Sequence, residues 1–118
     1  MHIELGKIRK ASFGYGGYQD CQIVFSFELG GEGWGTTQTF ECGWGHVSKE
    51  ELEKPGSSYK WTHESRIKQL GEKAYEVFQI IRDAKKKSLD ELEGVPIRAY
   101  FDSPVGRIIK FEILKEVL

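Results

Sequence analysis

The chain has 118 residues, 39% hydrophobic and 13% aromatic, which suits one domain with one core and leaves no room for two. Lys and Arg number 17 against 18 Asp and Glu, a formal net charge of -1, so no single-sign field surrounds the molecule. That speaks against a general DNA-coating protein and equally against an acidic imitation of DNA. Apolar runs are two or three residues long where a bilayer span needs about 20, and no basic segment followed by an apolar core opens the chain. A single domain over 1–118, without membrane association and cytoplasmic, is the expectation. Cys21 and Cys42 are too few for a disulfide scaffold and are expected as free thiols among the small core residues.

From Met1 to Phe40 the pattern is extended. Ile3 and Leu5 share one parity and Ile8 takes the other, which places a bulge at Gly6 in a kinked first strand. Ile23, Phe25, Phe27 and Leu29 alternate with Gln22, Val24, Ser26 and Glu28, the period of a strand with one buried face. A third, Thr-rich strand runs from Trp34 to Phe40. The glycine-rich stretches Phe13 to Asp20 and Gly30 to Gly33 read as hairpin turns, so the three strands form a meander.

Glu41 to Tyr59 has no clean period and reads as a long surface excursion with one helical turn at Ser48 to Glu53. Ile67, Leu70, Ala74, Val77, Phe78 and Ile81 then recur at steps of three and four, predicting an amphipathic helix from Glu64 to Lys86 capped by Thr62 or Ser65. Ser88 and Glu91 have capping-box spacing in a short second turn that Gly94 ends. Ile97, Ala99 and Phe101 alternate, Asp102 to Gly106 turns the chain, and Arg107 to Val117 completes a C-terminal hairpin. The fold class is α+β: a largely antiparallel sheet, built from an N-terminal three-strand meander and a C-terminal hairpin, with one long helix on one face.

Few residues point to chemistry. Cys42-x-x-x-His46, with His2, His63 and Cys21 elsewhere, offers one close donor pair where structural zinc sites use two, so His46 reads as a solvent-facing loop histidine and no metal is expected. Gly14-x-Gly16-Gly17 joins two strands and opens no helix, so it lacks the dipole of a phosphate loop. No nucleophile motif is present, Glu50, Glu51 and Glu53 read as solvated, and neither catalytic residues nor a cofactor is expected.

The aromatic residues are more informative. Tyr15, Tyr18, Gln19 and Asp20 place two phenols, an amide and a carboxylate on a glycine frame, a composition suited to recognition because tyrosine offers rigid area with little entropy to lose. Trp34 and Trp61 read as core anchors. Trp44, between Gly43 and Gly45, is open to either a buried or a projecting role. Residues 1–60 carry six basic and eight acidic side chains, so the aromatic half lacks the basic groove of a nucleic-acid binder.

Ile3-Glu4-Leu5-Gly6-Lys7-Ile8, Phe13-Gly14-x-Gly16-Gly17-Tyr18-Gln19-Asp20, Gly31-x-Gly33-Trp34-Gly35, Trp61-Thr62 and Ile113-Leu114-x-Glu116-Val117-Leu118 together resemble a group of small uncharacterised proteins encoded by tailed phages and prophages. The resemblance runs along nearly the whole chain, with Gly-Gly-Tyr-Gln-Asp its distinctive part. It implies an accessory gene product acting in the bacterial host cell by binding a host or phage protein, including a component of host defence, and it assigns no catalytic residue.

The leading expectation is a non-enzymatic protein-binding module using Tyr15, Tyr18, Gln19, Asp20 and Trp44. The alternative is a single-strand nucleic-acid binder using the sheet face, with Lys7, Arg9, Lys10, Arg107 and Lys110 on phosphates. The state is a monomer, or a homodimer through an edge strand of the terminal hairpin.

Overall fold

A computed structural model describes residues 1–118. Five strands form one antiparallel sheet in the order β3-β2-β1-β4-β5: β1 His2–Gly16, β2 Gln22–Gly31, β3 Trp34–Trp44, β4 Pro96–Phe101 and β5 Ile108–Ile113. Between β3 and β4 lie a short helix α1, Lys49–Glu53, and the long helix α2, His63–Asp83. The meander, the C-terminal hairpin and the single long helix are those that the periodicities predict.

Strand β1 belongs to two halves of the sheet. Its first part pairs with β4 through His2–Lys7, and its second part pairs with β2 through Lys7–Gly16. The changeover is a bulge at Arg9, where the register steps from Ile8↔Leu29 to Lys10↔Glu28. The bulge expected at Gly6 is absent: Ile3 and Leu5 lie on the exposed face and Ile8 on the buried one with no change of phase between them, and the bulge at Arg9 instead moves the helix-side face from Ile8 to Ala11. Gly6 serves another purpose: a Cβ there would stand 2.6 Å from Trp34 Cζ2. One residue added to one strand bends it and increases its twist, which lets β1 leave the first half and enter the second.

Alternation decides which side chains meet. Ile8, Phe25, Phe27, Leu29, Ile97, Ala99, Phe101, Phe111 and Ile113 share the face turned toward α2 and form one cluster with Val77 and Ala84 of the helix region. Thr62 and Ser65 exchange side-chain to backbone hydrogen bonds of 3.1 and 3.0 Å, a reciprocal cap that starts α2. Phe27 meets Phe40 of β3 edge-on at 5.7 Å and Phe111 of β5 at 5.3 Å. The sheet is thus curled far enough to bring its two outer strands toward one another over the helix side.

Several expectations are corrected. Strand β3 continues to Trp44, four residues beyond Phe40, because Glu41 and Cys42 pair with Val24 and Ile23; the excursion begins only after it. Helix α2 stops at Asp83, short of Lys86, with Lys85 in the left-handed region at φ 59°. Ile67 and Phe78, read as part of its buried stripe, are each 51% exposed, since they lie on its flank and the sheet does not reach them. Ser88 and Glu91 form no capping box: Glu91 accepts instead from the Lys87 amide at 3.1 Å. The last strand ends at Ile113, and Lys115–Val117 is a single 3-10 turn. Cys42 is buried and its thiol is pushed up by that burial, whereas Cys21 is only half-buried and outside the core. Trp61 is also outside the core and rests on Tyr59 and Arg66; Trp34 is half-buried and packs against it.

Candidate functional site

The β1–β2 connection begins where Gly16 leaves the ladder. Gly17, which caps the 3-10 turn Tyr18–Asp20, and Gln19 and Asp20 within it all take positive φ, 68°, 52° and 54°. Two consecutive non-glycine residues in the left-handed region cost conformational energy and persist only where the surroundings enforce them. The enforcement is visible: the Gly45 amide donates to Cys21 O at 2.9 Å, the Cys21 thiol donates to Gln19 O at 3.3 Å, and His46 Nδ1 lies 3.4 Å from Cys21 O. The tip is tied to the segment that follows β3.

That segment is held in turn by the helix. Arg66, the buried cation of α2, donates from Nη1 to Trp44 O at 2.8 Å and Val47 O at 2.5 Å, and from Nη2 to His63 Nδ1 at 2.8 Å. Trp61 covers the guanidinium at 5.8 Å. Gly43, at φ 36°, leaves room for the Arg66 stem, for a Cβ there would stand 2.8 Å from Arg66 Cγ. Trp44 is thereby placed edge-on to Tyr18, with centroids 6.3 Å apart, and against His46 at 5.8 Å.

Four of the residues named from the sequence are thus gathered at one end of the molecule. Tyr18 is 67% exposed, Trp44 is half-buried, and Gln19 and Asp20 are exposed on the strained turn. Tyr15, also 67% exposed, lies on the opposite side of the ladder end: it pairs with Ile23, shares the helix-side face with Phe13 and lines a groove with Ile23, Gly45 and Leu70. Phe13, 55% exposed and packed at a tilt against Phe25 at 4.5 Å, was not among the sequence candidates, although its parity with Tyr15 marks the same face. Arg66 was missed as well, because nothing local distinguishes one helical arginine from another.

The basic residues do not converge. Lys7 and Lys10 lie on the face away from α2, where Lys10 pairs with Glu28. Arg9 folds over Gly30 and reaches Gly31 O at 3.5 Å. Arg107 is in the β4–β5 turn, and Lys110 stands over the Tyr100 ring at 4.9 Å. Near Lys110, Glu112 accepts from Tyr100 Oη at 2.6 Å and Arg98 at 3.1 Å, and Glu116 lies 3.7 Å from Arg98. The hydrogen bond from Tyr100 holds the Glu112 carboxyl below the usual carboxylate range and raises the Tyr100 phenol in return. Cys42 donates to Ile23 O at 3.5 Å within the fold while His46 is exposed, and no three His, Cys, Asp or Glu side chains cluster as metal ligands. No helix is long and apolar enough to cross a membrane.

No protein family, curated protein or solved structure matches the chain.

Proposed function

We propose that the protein is a non-enzymatic binding module that engages a host or phage protein through the tip formed by Tyr18, Gln19, Asp20 and Trp44, with Tyr15 at its margin. The observation that carries this reading is an aromatic pair, the exposed Tyr18 edge-on to the half-buried Trp44, on a turn whose unfavourable backbone is held by hydrogen bonds to Gly45 and by the Arg66 clamp. Rigid rings on a pre-organised frame lose little entropy on binding, and rings with a hydroxyl or an indole N–H dominate interface energetics. The resemblance to phage and prophage accessory proteins supports a partner in the bacterial cytoplasm. The test is a pull-down from bacterial lysate with wild type and with Tyr18→Ala plus Trp44→Ala. Wild type is expected to retain a discrete partner that the double variant loses; equal recovery by both forms overturns the reading.

A second reading, single-strand nucleic-acid binding, is favoured by connectivity. A meander, a helix and a hairpin, with a bent β1 shared by both halves and β5 curling toward β3, is the strand order of the OB-fold, whose β2–β3 face and β1–β2 and β4–β5 loops bind oligonucleotides. The chemistry of that face opposes it. Ser26, Glu28, Thr37, Thr39 and Glu41 supply neither a stacking ring nor a cation. A filter-binding titration is expected to show no steeply salt-dependent retention of single-stranded DNA.

A further inference from the structure

We propose that the outer edge of β1 from Lys10 to Gly16 is a pairing edge for a second copy of this chain, joined antiparallel about a two-fold axis at Phe13. The ladder to β4 ends at Lys7, the last bonds on that side are Ile8 N–H to Val95 O at 2.9 Å and Gly94 N–H to Ile8 O at 2.7 Å, and no backbone hydrogen bond outside the β1–β2 ladder involves Lys10–Gly16. A strand edge of seven residues is left open, which is a template for another strand. This edge is not the terminal hairpin that the sequence suggests for a dimer.

The side chains along this edge fit a copy of themselves. Antiparallel pairing about Phe13 sets Phe13 against Phe13, Ala11 against Tyr15, Ser12 against Gly14 and Lys10 against Gly16. Each ring then faces another ring or a methyl group, and no like charges are opposed, because the two Lys10 side chains lie six positions apart along the strand, roughly 20 Å. Each Lys10 instead meets the uncharged Gly16 of the other copy. The groove beside the edge, about 290 Å³ and lined by Phe13, Tyr15, Ile23 and Leu70 with two glycines, holds no charged residue.

Surface area points the same way. The monomer exposes 7838 Å², where a monomeric protein of 13.5 kDa is expected to expose about 6,500 Å². The excess of about 1,300 Å² exceeds the roughly 800 Å² that each partner buries in a standard interface. Phe13 and Tyr15, each more than half exposed, lie on the proposed contact.

Tyr18 and Trp44 lie beyond the last paired residue, so their double variant tests the tip without touching this edge, Tyr15 alone being shared by the two surfaces. The experiment is sedimentation velocity across a hundredfold range of concentration. Wild type is expected to sediment as a dimer at high concentration, and so is Tyr18→Ala plus Trp44→Ala. Phe13→Glu and Phe13→Lys are each expected to be monomeric, and their equimolar mixture to regain the dimer, because opposite charges then meet at the axis. Tyr15→Glu, at a side chain that supports little of the core, is expected to weaken the dimer with unchanged circular dichroism, and is decisive should the Phe13 variants lose structure. A wild type that stays monomeric throughout, or a dimer indifferent to Tyr15→Glu and to the charge at residue 13, overturns the proposal.

Discussion

Arg66 is buried among polar partners, and two of its hydrogen bonds end on the carbonyls of Trp44 and Val47, twenty-two and nineteen residues away in sequence. Replacing it by leucine leaves both carbonyls without their donor at a site closed to water. Arg66→Leu is therefore expected to lower stability by about 2–4 kcal/mol in urea denaturation, with tryptophan emission shifting as Trp44 is released. Tyr100 and Glu112 make a different kind of contact, exposed and pH-dependent. Because the Tyr100 hydroxyl holds the Glu112 pKa below its unfolded value, the bond stabilises the fold above the ordinary carboxylate range and ceases to do so as pH falls through the depressed value. In Tyr100→Phe the Glu112 titration, followed by NMR, is expected to move upward, and the acid limb of the stability curve to flatten. None of these partners is near in sequence, so neither contact was legible before the fold was known.

At the scale of elements the period-two and period-3.6 patterns carry most of the architecture. Strand β2 and helix α2 follow from Ile23 to Leu29 and from Leu70 to Ile81 because local alternation is what divides a buried face from a wet one. Element ends were less legible. Strand β3 continues through Glu41, Cys42 and Gly43 because β2 lies alongside to pair with it, a long-range cause that glycine and glutamate do not announce. The opposite holds for the glycines at the far end of the sheet. Trp34 reaches across Gly31 and Gly6 to donate to Leu5 O at 3.3 Å and to meet Phe101 edge-on at 5.5 Å. A Cβ at Gly31 would collide with the Trp34 indole and stand 2.5 Å from Leu5 O. Gly31→Ala is accordingly expected to lose about 1–3 kcal/mol and to lower the thermal midpoint, because the indole cannot keep its place over a side chain.

Across the whole molecule the dimensions reflect the bend in β1. The radius of gyration is 16.4 Å, against about 13.5 Å for a compact chain of this length, and the long axis is 53 Å. The β1–β2–β3 ribbon runs past the helix and carries the aromatic tip at its end, which is why residues with core-like hydrophobicity such as Phe13 and Ile67 remain half exposed. By itself the sequence determined the class of the fold, the order of its strands and helix, and the glycine-tyrosine composition of the tip, since these depend on neighbours within a few residues. Only the tertiary structure decided where β1 bends, that Trp44 stands beside Tyr18, and that Lys10–Gly16 keeps an open edge. Those features depend on which distant segments compete for the same backbone groups and the same apolar surface, and that competition is resolved only when the sheet closes.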